Sequence, residues 1–236
     1  MSQDNPFKWR HFQPDVILLC VRGYLRYPIS YRDLEEMMLD RGLKVDHTTL
    51  NRWVIRYSPE IDKRSRPHLK LTNDSWRVDE TYVKVKGSWK YLYRAVDSQG
   101  HTLDFLLSAK RDAKAARRFF IKVLNAQHTV SPRVINVDQN AAYPPAVDTL
   151  QQETTMPKDT ELRPVKYLNN MIEQDHRGIK RLTKPGMGFH SFYTARRTLA
   201  GFEIMNRIRK GQIRDVDRGD VVAQRDFFAQ IFEIAA

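Results

Sequence analysis

Apolar residues recur at three- and four-residue steps through the first quarter of the chain. Val16, Leu19, Cys20, Gly23 and Tyr24 keep that rhythm, which predicts a helix opened by Pro14 and stopped by Pro28. Ser30 then suits a second helix as its N-cap, with Asp33 three residues on in a capping-box arrangement. Leu34, Met37 and Met38 form the apolar face of this helix, and Arg41-Gly42 ends it. Asp46 caps a third helix, from 47 to about 57, with Leu50, Trp53 and Val54 as the buried stripe and Pro59 after it.

Beyond Pro59 the pattern changes. Residues 58–75 are rich in Pro, Ser, Lys and Arg with little periodicity, which predicts a basic linker. Aromatic and β-branched runs at 76–85, 89–96 and 102–107, joined by short Gly-containing turns, predict an antiparallel meander. Asp112 caps a helix to about 126, with Ala115, Ala116, Phe119, Phe120 and Val123 inward. A short apolar strand follows at 133–137, of the kind covered on both faces. A short helix at 144–151, a strand at 161–167 and a helix at about 169–181 come next. After the Gly-rich break at 184–188 a long helix is expected at about 191–210. The tail, with Phe227, Phe228, Ile231 and Phe232, reads as an amphipathic helix that caps the core or meets another subunit.

Three short helices, the last two joined by a tight Gly-containing turn, make a helix-turn-helix pattern. The third would read DNA through Thr48, Thr49, Asn51, Arg52 and Arg56, side chains that bond base edges and phosphates. The expected division is therefore a helix-turn-helix domain at 1–58, a linker at 59–75, a catalytic core at 76–185 and a C-terminal helical region at 186–236.

Composition sharpens this picture. Of 236 residues, 41% are hydrophobic, enough for a substantial core, and the net charge of +12 points to an anionic partner, of which nucleic acid is the usual one; the helix-turn-helix pattern would make it double-stranded DNA. Residues 174–212 hold nine basic and two acidic residues, whereas 1–75 hold thirteen and ten. A single cysteine, Cys20, excludes an internal disulfide and any cysteine-pair zinc site. No apolar run approaches membrane-spanning length and the N-terminus lacks a signal-peptide core, so a cytoplasmic protein is expected.

The candidate chemistry lies in carboxylates. Asp79 and Glu80 fall inside an apolar strand, where a charge is costly unless paired, and a bound cation is a natural partner. Asp138 ends the strand at 133–137, and Glu173 lies 34 intervening residues later near a helix start. Three strands, helix, strand, helix, strand, helix is the order of an RNase H-like core, a mixed sheet flanked by helices. In that fold the first strand is central and the fourth lies parallel beside it, so Asp79 and Asp138 become neighbours and a helix can bring Glu173 alongside. Strand alternation does not choose between Asp79 and Glu80. Hard oxygen donors suit two Mg²⁺ ions, or Mn²⁺, which activate a nucleophile and stabilise a leaving oxygen in phosphodiester chemistry. Glu173, His176 and Lys180 share one helix face. Lys180 can reach a phosphate, and His176 and Arg177 are expected DNA contacts. Asp175 falls off that face.

The runs Asp79-Glu80-Thr81-Tyr82-Val83-Lys84-Val85, Tyr91-Leu92-Tyr93-Arg94-Ala95-Val96-Asp97 and Tyr167-Leu168-Asn169-Asn170-Met171-Ile172-Glu173-Gln174-Asp175-His176 resemble the insertion-sequence-six family of bacterial DDE transposases. So does Ile29-Ser30-Tyr31-Arg32-Asp33-Leu34-Glu35-Glu36-Met37. The resemblance runs from about Pro6 to Lys210. It implies a metal-binding triad of Asp79, Asp138 and Glu173, choosing Asp79 over Glu80, and the gap before Glu173 matches the family pattern. Lys180 matches the basic residue that follows the glutamate in many such enzymes. Asn169 stands where some DDE transposases have an arginine, and Asn140-Ala141 where a proline is frequent. The resemblance further implies binding to terminal inverted repeats, Mg-dependent 3′-end cleavage, strand transfer with cointegrate formation, and a homodimer or larger synaptic assembly. A DNA-binding protein with a silent core, or a nuclease that cuts without joining, are the other readings.

Overall fold

Strand pairing decides where the acids meet. In the structure, a computed structural model describing residues 6–7, 11–165 and 170–234, five strands form one mixed sheet in the order β3-β2-β1-β4-β5. They are β1 (Ser75–Val85), β2 (Ser88–Asp97), β3 (Thr102–Ser108), β4 (Val134–Val137) and β5 (Glu161–Pro164). The meander is antiparallel as expected, and β4 pairs parallel with both β1 and β5. This is the RNase H-like strand order, with the first strand central.

Helices cover the sheet because its strands are apolar on both faces. Helix α4 (Ala113–Leu124) is capped by the Asp112 carboxylate, which accepts from the Ala115 amide, and α5 is Tyr143–Gln152. Their inner residues Phe119, Phe120, Val123, Tyr143 and Leu150 bury against Trp76, Val78, Tyr93 and Ile135. Helix α6 (Asn170–Thr183) packs on β1 and β2. The expected strand at 161–167 is formed as far as Pro164. Residues 166–169 lie outside the described set, so Asn169 does as well.

The chain divides into two compact units. The sheet with α4, α5 and α6 makes up residues 66–192, and the helices on either side of it in sequence make the second. In this helical unit α1 (Pro14–Arg26) and α2 (Tyr31–Leu39) follow the expected bounds, and Ser30 and Asp33 form the capping box. Met37 is 39% exposed, so the buried face of α2 is Leu34 and Met38. His47 Nδ1 lies 2.8 Å from Glu35 Oε2 and ties the start of the third helix to α2.

Helix α3 corrects the sequence reading. It runs His47–Ser65 straight through Pro59, so residues expected to be linker are helical, and a 3₁₀ turn at Arg66–His68 follows. Proline removes the N–H that would bond the Ile55 carbonyl four residues back. Arg197 of α7 (Phe192–Arg209) supplies the missing donor, its Nε reaching Ile55 O at 2.6 Å. Close packing makes this possible. A Cβ on Gly201 would sit 2.5 Å from Ser58 Oγ and 2.6 Å from Leu25 Cδ2, so only glycine lets α7 approach α3 and α1 this closely. Helix α8 (Val221–Ile231) turns Phe227, Phe228 and Ile231 inward, and Phe7 stacks on Tyr57 and meets Phe232 edge-on. The tail thus packs against the helices of its own chain. The C-terminal region expected at 186–236 is also divided: its residues from Tyr193 onward group with the N-terminal helices.

Candidate active site

Strand β4 leaves the sheet at Val137, which pairs with Val78. The next residue on each parallel strand is an aspartate, so Asp138, just past the carboxyl end of β4, stands beside Asp79, which lies within β1 where its pairing with β4 stops. The end of a parallel strand is where open α/β sheets present their ligand crevices. Alternation then separates Asp79 from Glu80. Asp79 faces α6, with His176 Nδ1 3.7 Å from its Oδ2. Glu80 follows Trp76 and Val78 onto the face covered by α4 and α5. Oxygens of Asp79, Glu80 and Asp138 nevertheless converge within 4.8 Å of one another.

Arg111, from the segment before α4, grips this cluster. Its Nε and Nη2 donate to the two Glu80 oxygens at 3.1 and 3.3 Å, and Nη2 donates to Asp138 Oδ2 at 2.8 Å. Asn140 completes the loop: its Nδ2 donates to Glu80 Oε1 at 2.8 Å and its amide to Asp138 Oδ1 at 3.2 Å. Asn140 therefore shapes the turn after Asp138 with hydrogen bonds.

Burial pushes the Asp79 carboxyl up to about 7; the backbone hydrogen bond at Glu80 opposes it, and the charges of Glu80, Asp138 and Glu173 add smaller upward pushes. Burial drives His176 down to about 3, helped by the Arg94 and Lys180 charges. The imidazole is thus neutral at pH 7, and at 3.7 Å its contact with Asp79 is neither an ion pair nor a hydrogen bond.

The other expected residues separate by exposure. Glu173 is exposed on α6 and lies outside the three-acid cluster, although its charge is felt at Asp79. Lys180 and Arg177 are exposed on the same helix. His176 is 4% exposed, which corrects its expected place among the DNA contacts: a ring packed between helix and sheet offers no surface to a strand. Asp175 meets the buried Arg94 at 2.6 Å and so holds α6 to the sheet. In the helical unit Thr48, Arg52 and Arg56 are exposed, while Thr49 and Asn51 are half-buried. The Thr48 hydroxyl and amide both donate to Asp46.

Sequence reasoning missed Arg111 and set Glu80 aside. Arg111 lies between Lys110 and the Asp112 cap, and nothing local aims it at Asp138. Glu80 carried a signal in its adjacency to Asp79 on a strand covered on both faces. No helix among the described residues is long and apolar enough to cross a membrane.

Acidic residues side by side where two parallel central strands part, in a mixed sheet of this order, mark an RNase H-like enzyme core. The donor set consists of hard carboxylate oxygens from three acids that converge, so the residues present fit a divalent cation. Residues 73–212 match the family model described as a DDE domain, of the IS240 transposase type. A Staphylococcus aureus transposase for insertion sequence-like element IS431mec is 38% identical over 213 residues, covering 90% of this chain and 92% of the relative. The S. aureus transposase for insertion sequence element IS257 in transposon Tn4003 matches with the same identity and coverage. Among solved structures, the HTLV-2 integrase catalytic core domain in complex with magnesium is similar at a TM-score of 0.44 and 15% identity, covering 63% of this chain and 93% of that one, and adds no weight to the strand order itself. The chain belongs to the DDE transposases of the insertion-sequence-six family. It is a DNA-cleaving and DNA-transferring enzyme that uses divalent metal.

Proposed function

We propose that this enzyme binds the terminal inverted repeats of an insertion sequence. It cleaves one strand at each end to free a 3′-hydroxyl, and joins that hydroxyl to target DNA to give a cointegrate. The observation that carries the reading is the side-by-side position of Asp79 and Asp138 where the paired parallel strands β1 and β4 part, in a chain of this family.

Asp79, Asp138 and Glu173 would hold two Mg²⁺ ions, or Mn²⁺. Bound there, the ions would supply activation of the attacking oxygen and stabilisation of the leaving one. Glu173 sits at the first turn of α6, from which its exposed side chain can turn toward the two aspartates. Arg111 and Asn140 hold Asp138 and Glu80 in place. Lys180 and Arg177 offer positive charge to phosphates beside the carboxylates. Because no side-chain nucleophile is needed, the protein passes through no covalent link to DNA.

In this reading α1, α2 and α3 form the helix-turn-helix, and Thr48, Thr49, Asn51, Arg52 and Arg56 on α3 contact the ends. Exposure of Thr48, Arg52 and Arg56 favours them as the first contacts. Two ends must be held together, so a homodimer or larger synaptic assembly is expected, working in the cytoplasm.

The test is strand transfer. Purified protein is mixed with a labelled end oligonucleotide, plasmid target and Mg²⁺, beside the Asp79→Ala protein. Joined product from the wild type alone supports the proposal. Cleavage without joining makes the chain a nuclease, and binding with neither reaction makes its core silent.

A further inference from the structure

Past Asp79, β1 continues without β4 beside it, because their pairing ends at Val78. Among the described residues, backbone pairing on this edge resumes where the Phe189 amide donates to Lys84 O and the Lys86 amide to Phe189 O, both at 2.8 Å. Gly188 makes that closure possible: its φ is +113° and a Cβ there would lie 2.8 Å from Lys84 O.

Along this edge lies a cleft of about 760 Å³. The β1–β2 hairpin contributes Tyr82, Lys84 and Trp89 to it, and α6 with the following turn contributes Lys180, Lys184 and Met187. Among the described residues, no acidic side chain lines it. Trp89 is 64% exposed and Tyr82 47%, large aromatic faces left open on a strand pair where Lys84 and Trp89 are direct partners. Lys180 lies two helical turns beyond Glu173, roughly 10 Å along α6, so the cleft leads away from the acids.

Aromatic faces flanked by cations and free of carboxylates are the chemistry of single-stranded nucleic acid binding, in which bases stack and phosphates meet the positive rim. An apolar protein segment would have to desolvate three lysines without a counter-charge. We propose that this cleft holds the unpaired nucleotides of the DNA strand adjoining the acid cluster, with bases stacked on Trp89 and Tyr82 and phosphates against Lys84 and Lys184. The inference rests on the transposase reading and deepens it, because an end opened at the carboxylates must place its unpaired bases somewhere.

The test uses the full chain in EDTA and fluorescence anisotropy with a labelled oligo-dT of about 12 nucleotides, beside a DNA hairpin duplex of equal charge. Trp89→Ala is expected to weaken oligo-dT binding by about tenfold or more, and Trp89→Phe to restore most of it. Duplex affinity should stay unchanged in both, and so should the melting temperature, since Trp89 is exposed. Lys184→Ala should reduce the salt dependence of oligo-dT binding. Oligo-dT carrying 5-iododeoxyuridine should crosslink to Trp89 or Tyr82. Oligo-dT affinity indifferent to Trp89, or crosslinks mapping away from the β1–β2 hairpin, overturns the proposal. Strand transfer run in parallel separates the two readings. Trp89-dependent oligo-dT binding by a chain that never joins DNA upholds the cleft and removes the transposase reading, and joining by a chain whose oligo-dT binding ignores Trp89 does the reverse.

Discussion

Arg94, fully buried in β2, meets the Asp175 carboxylate of α6 at 2.6 Å. This pair holds the helix that carries Glu173 against the sheet that carries Asp79. Removing the carboxylate takes an ion-pair partner from a buried guanidinium, so Asp175→Ala should cost about 3 kcal/mol of stability. Urea unfolding would measure it, and cleavage should fall as well, because α6 loses its anchor.

Arg111 poses a different question, since it serves Glu80 and Asp138 together. The Glu80 side chain is only 2% exposed, and without Arg111 it keeps Asn140 as its polar partner. Arg111→Ala should destabilise the metal-free protein by about 2 kcal/mol, and Glu80→Gln added to it should recover much of that loss. A double-mutant cycle by chemical denaturation checks the coupling. Additive effects would mean that the guanidinium does not stabilise Glu80.

The raised Asp79 carboxyl sets a pH dependence. Its folded-state value of about 7 exceeds the ordinary 3.8, so the folded protein binds this proton more tightly than the unfolded chain does. The associated stability is present below about pH 4 and is lost as pH rises through about 7, on the order of a few kcal/mol. In EDTA at pH 8, Asp79→Asn should therefore be more stable than wild type, with the difference vanishing near pH 4. Mg²⁺ at pH 8 should stabilise wild type and leave the variant unmoved. Denaturation curves at the two pH values read all of these.

Asp138→Asn should abolish cleavage and joining while leaving end binding nearly intact, as gel shifts and strand-transfer assays would show together. Activity retained in Mg²⁺ would remove Asp138 from the metal site.

Arg52→Ala should weaken binding to specific ends by about 1–3 kcal/mol if the guanidinium grips a base edge. Titration against specific and scrambled duplexes measures this, and equal affinity for the specific end would move base reading elsewhere on the chain.

What the chain by itself determined follows from local physics. Alternation, capping and turn chemistry act within a few residues, so the meander, the Ser30–Asp33 box, the Asp112 cap and the central place of β1 were all legible. So was the meeting of Asp79 with Asp138, because strand order and a short apolar strand imply it. Tertiary structure decided what depends on partners distant in sequence. Pro59 looked like a helix stop until Arg197, 138 positions later, supplied a donor to Ile55. Arg111 looked like one basic residue in a row, because only folding brings Asp138 and Glu80 to it. His176 looked like a surface contact, since helical spacing gives the face a residue occupies but not what packs against it. The open edge beside Trp89 belongs to the same class. A strand's own residues cannot tell where its neighbour stops, and β4 ends its pairing with β1 at Val78.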